Sequence, residues 1–118
     1  MFKLQDDGEE KLIKNRTVVI NIPGDGDAIT KSEIKADFLL LPQDEVDSMI
    51  EAARDGDTDS DLLRKVWVGW SGVQNAGGDT LEFSDKTRDK MLKITYVRTA
   101  LLESYFAAAG GKKAKRGN

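Results

Sequence analysis

The stretch from Val66 to Ser84, VWVGWSGVQNAGGDTLEFS, restricts what this chain can fold into more than any other. Two tryptophans, Trp67 and Trp70, flank Gly69 where a leucine-rich segment, Leu62-Leu63-Arg64-Lys65-Val66, runs out. Residues three apart share one face of a helix, so a helix over about Ser60 to Val68 would bring both indoles to its end. A glycine-broken loop from Gly69 to Thr80 follows. Ser84 then stands where a helix N-cap belongs, its hydroxyl able to accept from an orphan backbone amide. Phe83 before it is placed for a hydrophobic staple, with Thr87 where a capping box would carry Glu or Gln.

Upstream, Thr17 to Ile22 (TVVINI) is β-branched and alternates Val18, Ile20 and Ile22 against Thr17, Val19 and Asn21, a strand pattern. Pro23-Gly24-Asp25-Gly26-Asp27 is a turn cluster. Ile34, Ala36, Phe38 and Leu40 then repeat the alternation, predicting a hairpin whose other side, Leu39 and Leu41, is covered by later helices. Pro42 ends this strand for want of a ladder donor. Helix one is predicted over Gln43 to Arg54, with Val46, Met49, Ile50 and Ala53 on its buried face and acids in its first turns. Gly56 stops it. Asp85 to Ala108 carries a buried stripe of Met91, Leu92, Tyr96, Val97, Ala100, Leu101 and Tyr105, with a break near Thr95. Gly110-Gly111 ends the helical region. Residues 1–16 read as a mobile arm or a short strand. The expected architecture is α+β, an N-terminal β-hairpin or small antiparallel sheet followed by three to four short α-helices. It forms one domain over residues 1–111, with a flexible basic tail over 112–118.

Composition removes whole classes of chemistry. The 118 residues include no histidine and no cysteine. The usual structural zinc sites and the Ser-His-Asp and Cys-His nucleophile systems therefore have no parts. Acid–base chemistry would fall to carboxylates, lysine or tyrosine. Gly69-Trp70-Ser71-Gly72-Val73 resembles a nucleophile elbow up to its last position, but Ser71 has no histidine to activate it. Asp55 to Asp61 (DGDTDSD) sets carboxylates at alternate positions, as a calcium loop does. Counted from Asp55, however, the sixth residue is Ser60 and the twelfth Val66, where an EF-hand needs glycine and glutamate. It reads better as an acidic interhelical loop whose last aspartate or serine caps helix two. Gly24-Asp25-Gly26-Asp27 lacks the Lys-Ser/Thr of a phosphate loop. No catalytic residue, metal ligand or cofactor site is expected.

Charge is unevenly spread. Residues 112–118 hold four cations, Lys112, Lys113, Lys115 and Arg116, and no acid, while residues 1–111 hold 14 cations against 21 acids, a net −7. Four charges at a chain end give at most weak, salt-sensitive contact with nucleic acid. They also complement the dipole of the last helix. Trp67 reads as core. Trp70, just past a glycine, reads equally as core or as partner surface. No apolar run reaches the ~18 residues of a membrane span, and the first 20 residues lack the apolar centre of a signal peptide.

The order of these segments resembles the phage tail assembly chaperones of long-tailed phages and prophages. TVVINIPGDGD is similar to that family's opening strand and Pro-Gly turn, and IKADFLLLPQDEVDSMI to its second strand running into an acidic first helix. LLRKVWVGWSGV with the later LEFS resembles the central helix, Trp turn and helix start. YVRTALLESYFAAAGGKKAKRGN resembles the closing helix and basic tail. The resemblance implies a non-enzymatic protein of the infected or lysogenic bacterial cytoplasm, missing from the mature virion. It implies binding to the tape measure protein and promotion of tail tube polymerisation around it by the major tail tube protein. It also implies self-association, and in many genes a frameshifted longer form. The candidate partner-binding residues are Trp70, Lys112, Lys113, Lys115 and Arg116, with no specific nucleic acid and no membrane among the partners. The ending Arg116-Gly117-Asn118 departs from the family's basic residue followed directly by Asn. Two other classes compete: a structural virion part, such as a tail completion or connector subunit, and a small carboxylate-based hydrolase.

Overall fold

The structure is a computed structural model that describes residues 11–52 and 58–111. Its order is β1 (Lys11–Pro23), β2 (Ile29–Leu40), α1 (Gln43–Ala52), α2 (Thr58–Val66), β3 (Trp67–Ser71), α3 (Asp85–Leu92) and α4 (Thr95–Ala109). The strands form one antiparallel sheet, β1-β2-β3, with β2 in the middle. The fold is therefore α+β, as the alternating strands and periodic helices predict.

The hairpin is longer than its β-branched centre. β1 begins at Lys11, inside the stretch read as an arm or short strand, and β2 begins at Ile29. Ladder pairing with a regular partner lets polar residues such as Lys11 and Lys31 extend a strand that their own propensity would not mark. Val18 pairs with Ile34 and Ile20 with Ser32. Val18, Ile20, Ile34, Ala36 and Phe38 are buried on one face. Leu41 is buried and Leu39 packs against the core, as expected, and the Leu41 amide donates to the Tyr105 hydroxyl at 3.3 Å.

The main correction concerns Trp67 and Trp70. α2 ends at Val66, and Trp67 to Ser71 is a strand, not the end of a helix. Open edge groups of β2 pair with Trp67, Gly69, Trp70 and Ser71, and those ladder bonds outweigh the weak preference of a short helix to continue. Ser60 and Asp61 lie within α2 and so do not cap it; Ser60 is buried. The side chain of Ile50, with Ala53 and residues 55–57 of the acidic stretch, Gly56 among them, lies outside the described residues.

The helical half follows the expected pattern. Ser84 is extended, and its hydroxyl accepts from the Thr87 amide at 3.1 Å. Lys93 and Ile94 separate α3 from α4, close to the expected break at Thr95. Leu92, Val97, Ala100, Leu101 and Tyr105 are buried, with Met91 and Tyr96 packed at the margin of the core. Gly111 leaves α4 at φ +73, a conformation that costs glycine little.

Candidate functional site

Trp67 and Trp70 end on the same side of the sheet because β3 carries a bulge. Strand residues three apart should face opposite ways. Here Phe38 pairs with Trp67 and Asp37 with Gly69, so Val68 is an extra residue, and the phase shifts by one. Trp70 then lies opposite Ala36, on the core side. Its ring meets Trp67 at 4.9 Å and Phe83 at 4.7 Å between centroids. Phe83 thus packs on the two indoles, where the sequence placed it in a staple with its own helix.

The polar edge of Trp70 is also used. Its Nε1 donates to the Leu81 carbonyl at 2.8 Å, while the Leu81 amide donates to Val73 at 2.8 Å. The Asn75 side chain accepts from the amides of Gly77 and Asp79, which closes the loop between Val73 and Leu81. Trp70 is half-buried and anchors that loop, and its exposed remainder is what it can offer a partner. Trp67 is fully buried, and its indole N–H has no hydrogen-bond acceptor among the described residues. Lys112, Lys113, Lys115 and Arg116 lie outside the described residues, so the structure does not place them with Trp70.

The opposite face of the sheet carries a second set of residues. A bulge in β1 lies between Ile13 and Arg16, where Asn15 adopts φ 59. The Asn15 amide donates to Asp37 Oδ1 at 2.9 Å. The other carboxylate oxygen leans over buried Gly69, where an added Cβ would lie 2.6 Å from it. Asp37 is thus held between the β1 and β3 bulges, and Gly69 is required because the carboxylate fills the space of a side chain. Beside it, Lys35 Nζ donates to the Thr17 hydroxyl at 2.7 Å. Leu12 pairs with Leu39 across this face and is 49% exposed; Val68, the bulged residue, is 41% exposed. Sequence reasoning missed Leu12 and Val68 as exposed residues. The polar neighbours of Leu12 give it the look of an arm, and the exposure of Val68 depends on a bulge that has no local signature.

The phenol of Tyr105 is perturbed. Burial pushes the Tyr105 phenol up from 10.0, with the Leu41 amide opposing and Glu45 adding to the rise. Tyr105 is enclosed by the core and Phe38 lies edge-on to it at 5.6 Å, so the perturbation is structural. Ion pairs connect the helices: Lys65 of α2 reaches Glu45 of α1, and Arg64 of α2 reaches Asp89 of α3 at 3.4 Å. Half-exposed pairs of this kind contribute about 0–1 kcal/mol each.

No family model matches the chain, nor does any curated protein or solved structure.

Proposed function

We propose that the chain is a non-enzymatic phage tail assembly chaperone, which binds the tape measure protein and promotes polymerisation of the tail tube around it. The observation that carries this reading is the order of the four resembling sequence stretches along a single small domain. They coincide with β1 and its turn, β2 into α1, α2 through β3 to the Ser84 cap, and α4. Among the described residues, Leu12, Ile29, Val68, Ile94 and Phe106 are large apolar side chains more than a third exposed, which suits a protein that covers an aggregation-prone partner. Trp70, the basic residues of 112–118 and self-association belong to the same proposal, as does action in the bacterial cytoplasm.

Purified tail particles and the lysate that yields them discriminate this reading from a structural virion subunit. Immunodetection should find the chain in the lysate and not in finished particles. A stoichiometric band in the particles would replace the chaperone with a tail completion or connector component. Co-expression with a long helical tape measure partner should raise that partner's soluble fraction, and an unchanged fraction would remove the chaperone function altogether.

A further inference from the structure

We infer that the outer stripe of α4, Thr95, Thr99, Leu102, Phe106 and Ala109, pairs in parallel with the same stripe of a second copy of this chain. This surface deepens the proposed function: it rests on the self-association in that reading and names where, and in which orientation, two copies meet.

α4 is apolar on two sides. Val97, Ala100, Leu101, Ser104 and Tyr105 are buried where the helix meets the sheet and the neighbouring helices. Successive helical residues turn by about 100°, which places the stripe directly opposite them. There Thr95, Thr99, Phe106 and Ala109 are exposed, and Leu102 is half-buried with one side against the core. The other helices turn charge outward: Asp44 and Asp47 on α1, Arg64 and Lys65 on α2, Lys86 and Lys90 on α3. The exposed residues of α4 include one charge, Glu103. A helix that is apolar on both sides is normally covered on both.

Spacing shows what kind of cover fits. The members of the stripe are alternately four and three residues apart, the seam of two helices lying side by side. Phe106, 50% exposed, is its largest knob, and the ring stands edge-on to buried Tyr105 at 5.4 Å, so it is held before any partner arrives. Single apolar residues scattered on a surface need no partner. Here they keep one register along the whole helix.

Charge selects the occupant. Arg98 and Glu103 flank the stripe on opposite sides, five residues apart. When two identical helices pair in parallel about a two-fold axis along the seam, the Arg98 flank of each copy faces the Glu103 flank of the other. An antiparallel pair sets each flank against its own kind, cation beside cation and acid beside acid. Glu103 is exposed and forms no ion pair among the described residues. Arg98 donates to the Leu92 carbonyl at 3.0 Å, which keeps its charge at this flank. The face therefore complements itself, and that selects a second copy in parallel. The same arrangement brings together the two α4 C-termini and the four cations that follow in each chain, a repulsion that screening limits beyond about 8 Å. α4 is about 22 Å long, and one helix face of that length falls short of the ~1,200–2,000 Å² buried in a stable complex. The pair is weak and reversible.

The test uses the full chain in sedimentation velocity, over a concentration series reaching millimolar, where a monomer–dimer equilibrium should appear. Phe106→Ser and Thr99→Glu, both at exposed positions, should each weaken the dimer by roughly tenfold. Glu103→Lys, which opposes like charges only in the parallel pair, should weaken it by at least roughly threefold. The chain has no cysteine, so Thr95→Cys and Ala109→Cys, at the two ends of the stripe, report the orientation. Under mild oxidation each variant should cross-link to itself; an antiparallel pair would cross-link the two variants to each other instead. A monomer at every concentration, a dimer untouched by Phe106→Ser and Thr99→Glu, an unchanged dimer in Glu103→Lys, or cross-links only between the two cysteine variants would overturn the inference. So would a Phe106→Ser chain that still dimerises but no longer keeps a tape measure partner soluble, which would assign the face to that partner. A chain that never dimerises yet keeps that partner soluble would sink this surface and leave the proposed function standing.

Discussion

The two ends of the β1–β2 ribbon are equally regular in backbone and stabilised by different physics. At the end near β3, Val18, Ala36 and Phe38 are wholly buried, and the sheet is fastened by the Trp67, Trp70 and Phe83 cluster. At the far end no residue from 21 to 33 is buried, and Ile29 is 61% exposed. There the ribbon depends on its ladder and its turn, in which Gly24 donates to Ala28 at 2.8 Å and Gly26 takes φ 59. The lesson is that strand geometry does not report packing energy. The packed end should be costly to alter, and the projecting end tolerant.

The largest expected effect is at the packed end. Trp67→Ala should lower unfolding free energy by about 3–5 kcal/mol, the range for deleting a buried aromatic. Trp67→Phe should cost distinctly less, because it also removes an indole N–H whose unsatisfied burial costs about 1–3 kcal/mol. Equal losses in chemical denaturation would mean that a bound water or another acceptor serves that N–H.

Gly69→Ala should cost about 1–3 kcal/mol, since the new methyl meets Asp37 Oδ2. Asp37→Ala should cost less in the Gly69→Ala background than alone, a coupling that a double-mutant cycle measures. Strict additivity would show that the sheet moves away from the clash at no cost. Trp70→Phe keeps a ring against Phe83 and loses the bond to Leu81, so about 0.5–1.5 kcal/mol should go. Hydrogen exchange should quicken first at the Leu81 and Asn75 amides; no change there would separate the loop from the indole.

Tyr105 tests the same packed end by pH. Its folded pKa lies above 10.0, so the unfolded chain releases the phenolic proton first as pH rises. Stability from this group is complete below about pH 10 and falls as pH climbs toward the folded value. Thermal melts should show that loss in the native chain and a smaller one in Tyr105→Phe; parallel profiles would place the alkaline transition elsewhere. The smallest effect belongs to the projecting end. Ile29→Thr should change stability by no more than about 0.5 kcal/mol. A drop of several times that would mean the ribbon tip is packed against something after all, which would erase the contrast between the ends.

Sequence alone determined the elements whose signals are local. The alternation of TVVINI and IKADFL, the PGDGD turn, the Pro42 switch from strand to helix, the Ser84 cap and the glycine end of α4 all rest on residues within a few positions of one another. Steric and hydrogen-bonding preferences act over that range whatever the rest of the chain does. Of the candidate partner residues, Trp70 could be recognised as amphipathic, but its bond to Leu81 could not. Only the tertiary structure decided that Trp67 and Trp70 lie on a strand. A spacing of three is the signature of one helical face, and a strand reproduces it once a bulge inserts Val68. Whether that bulge forms depends on β2, some 30 residues away. The exposure of Leu12 and Val68 was hidden for the same reason, since it depends on a strand register and a bulge that no local pattern specifies.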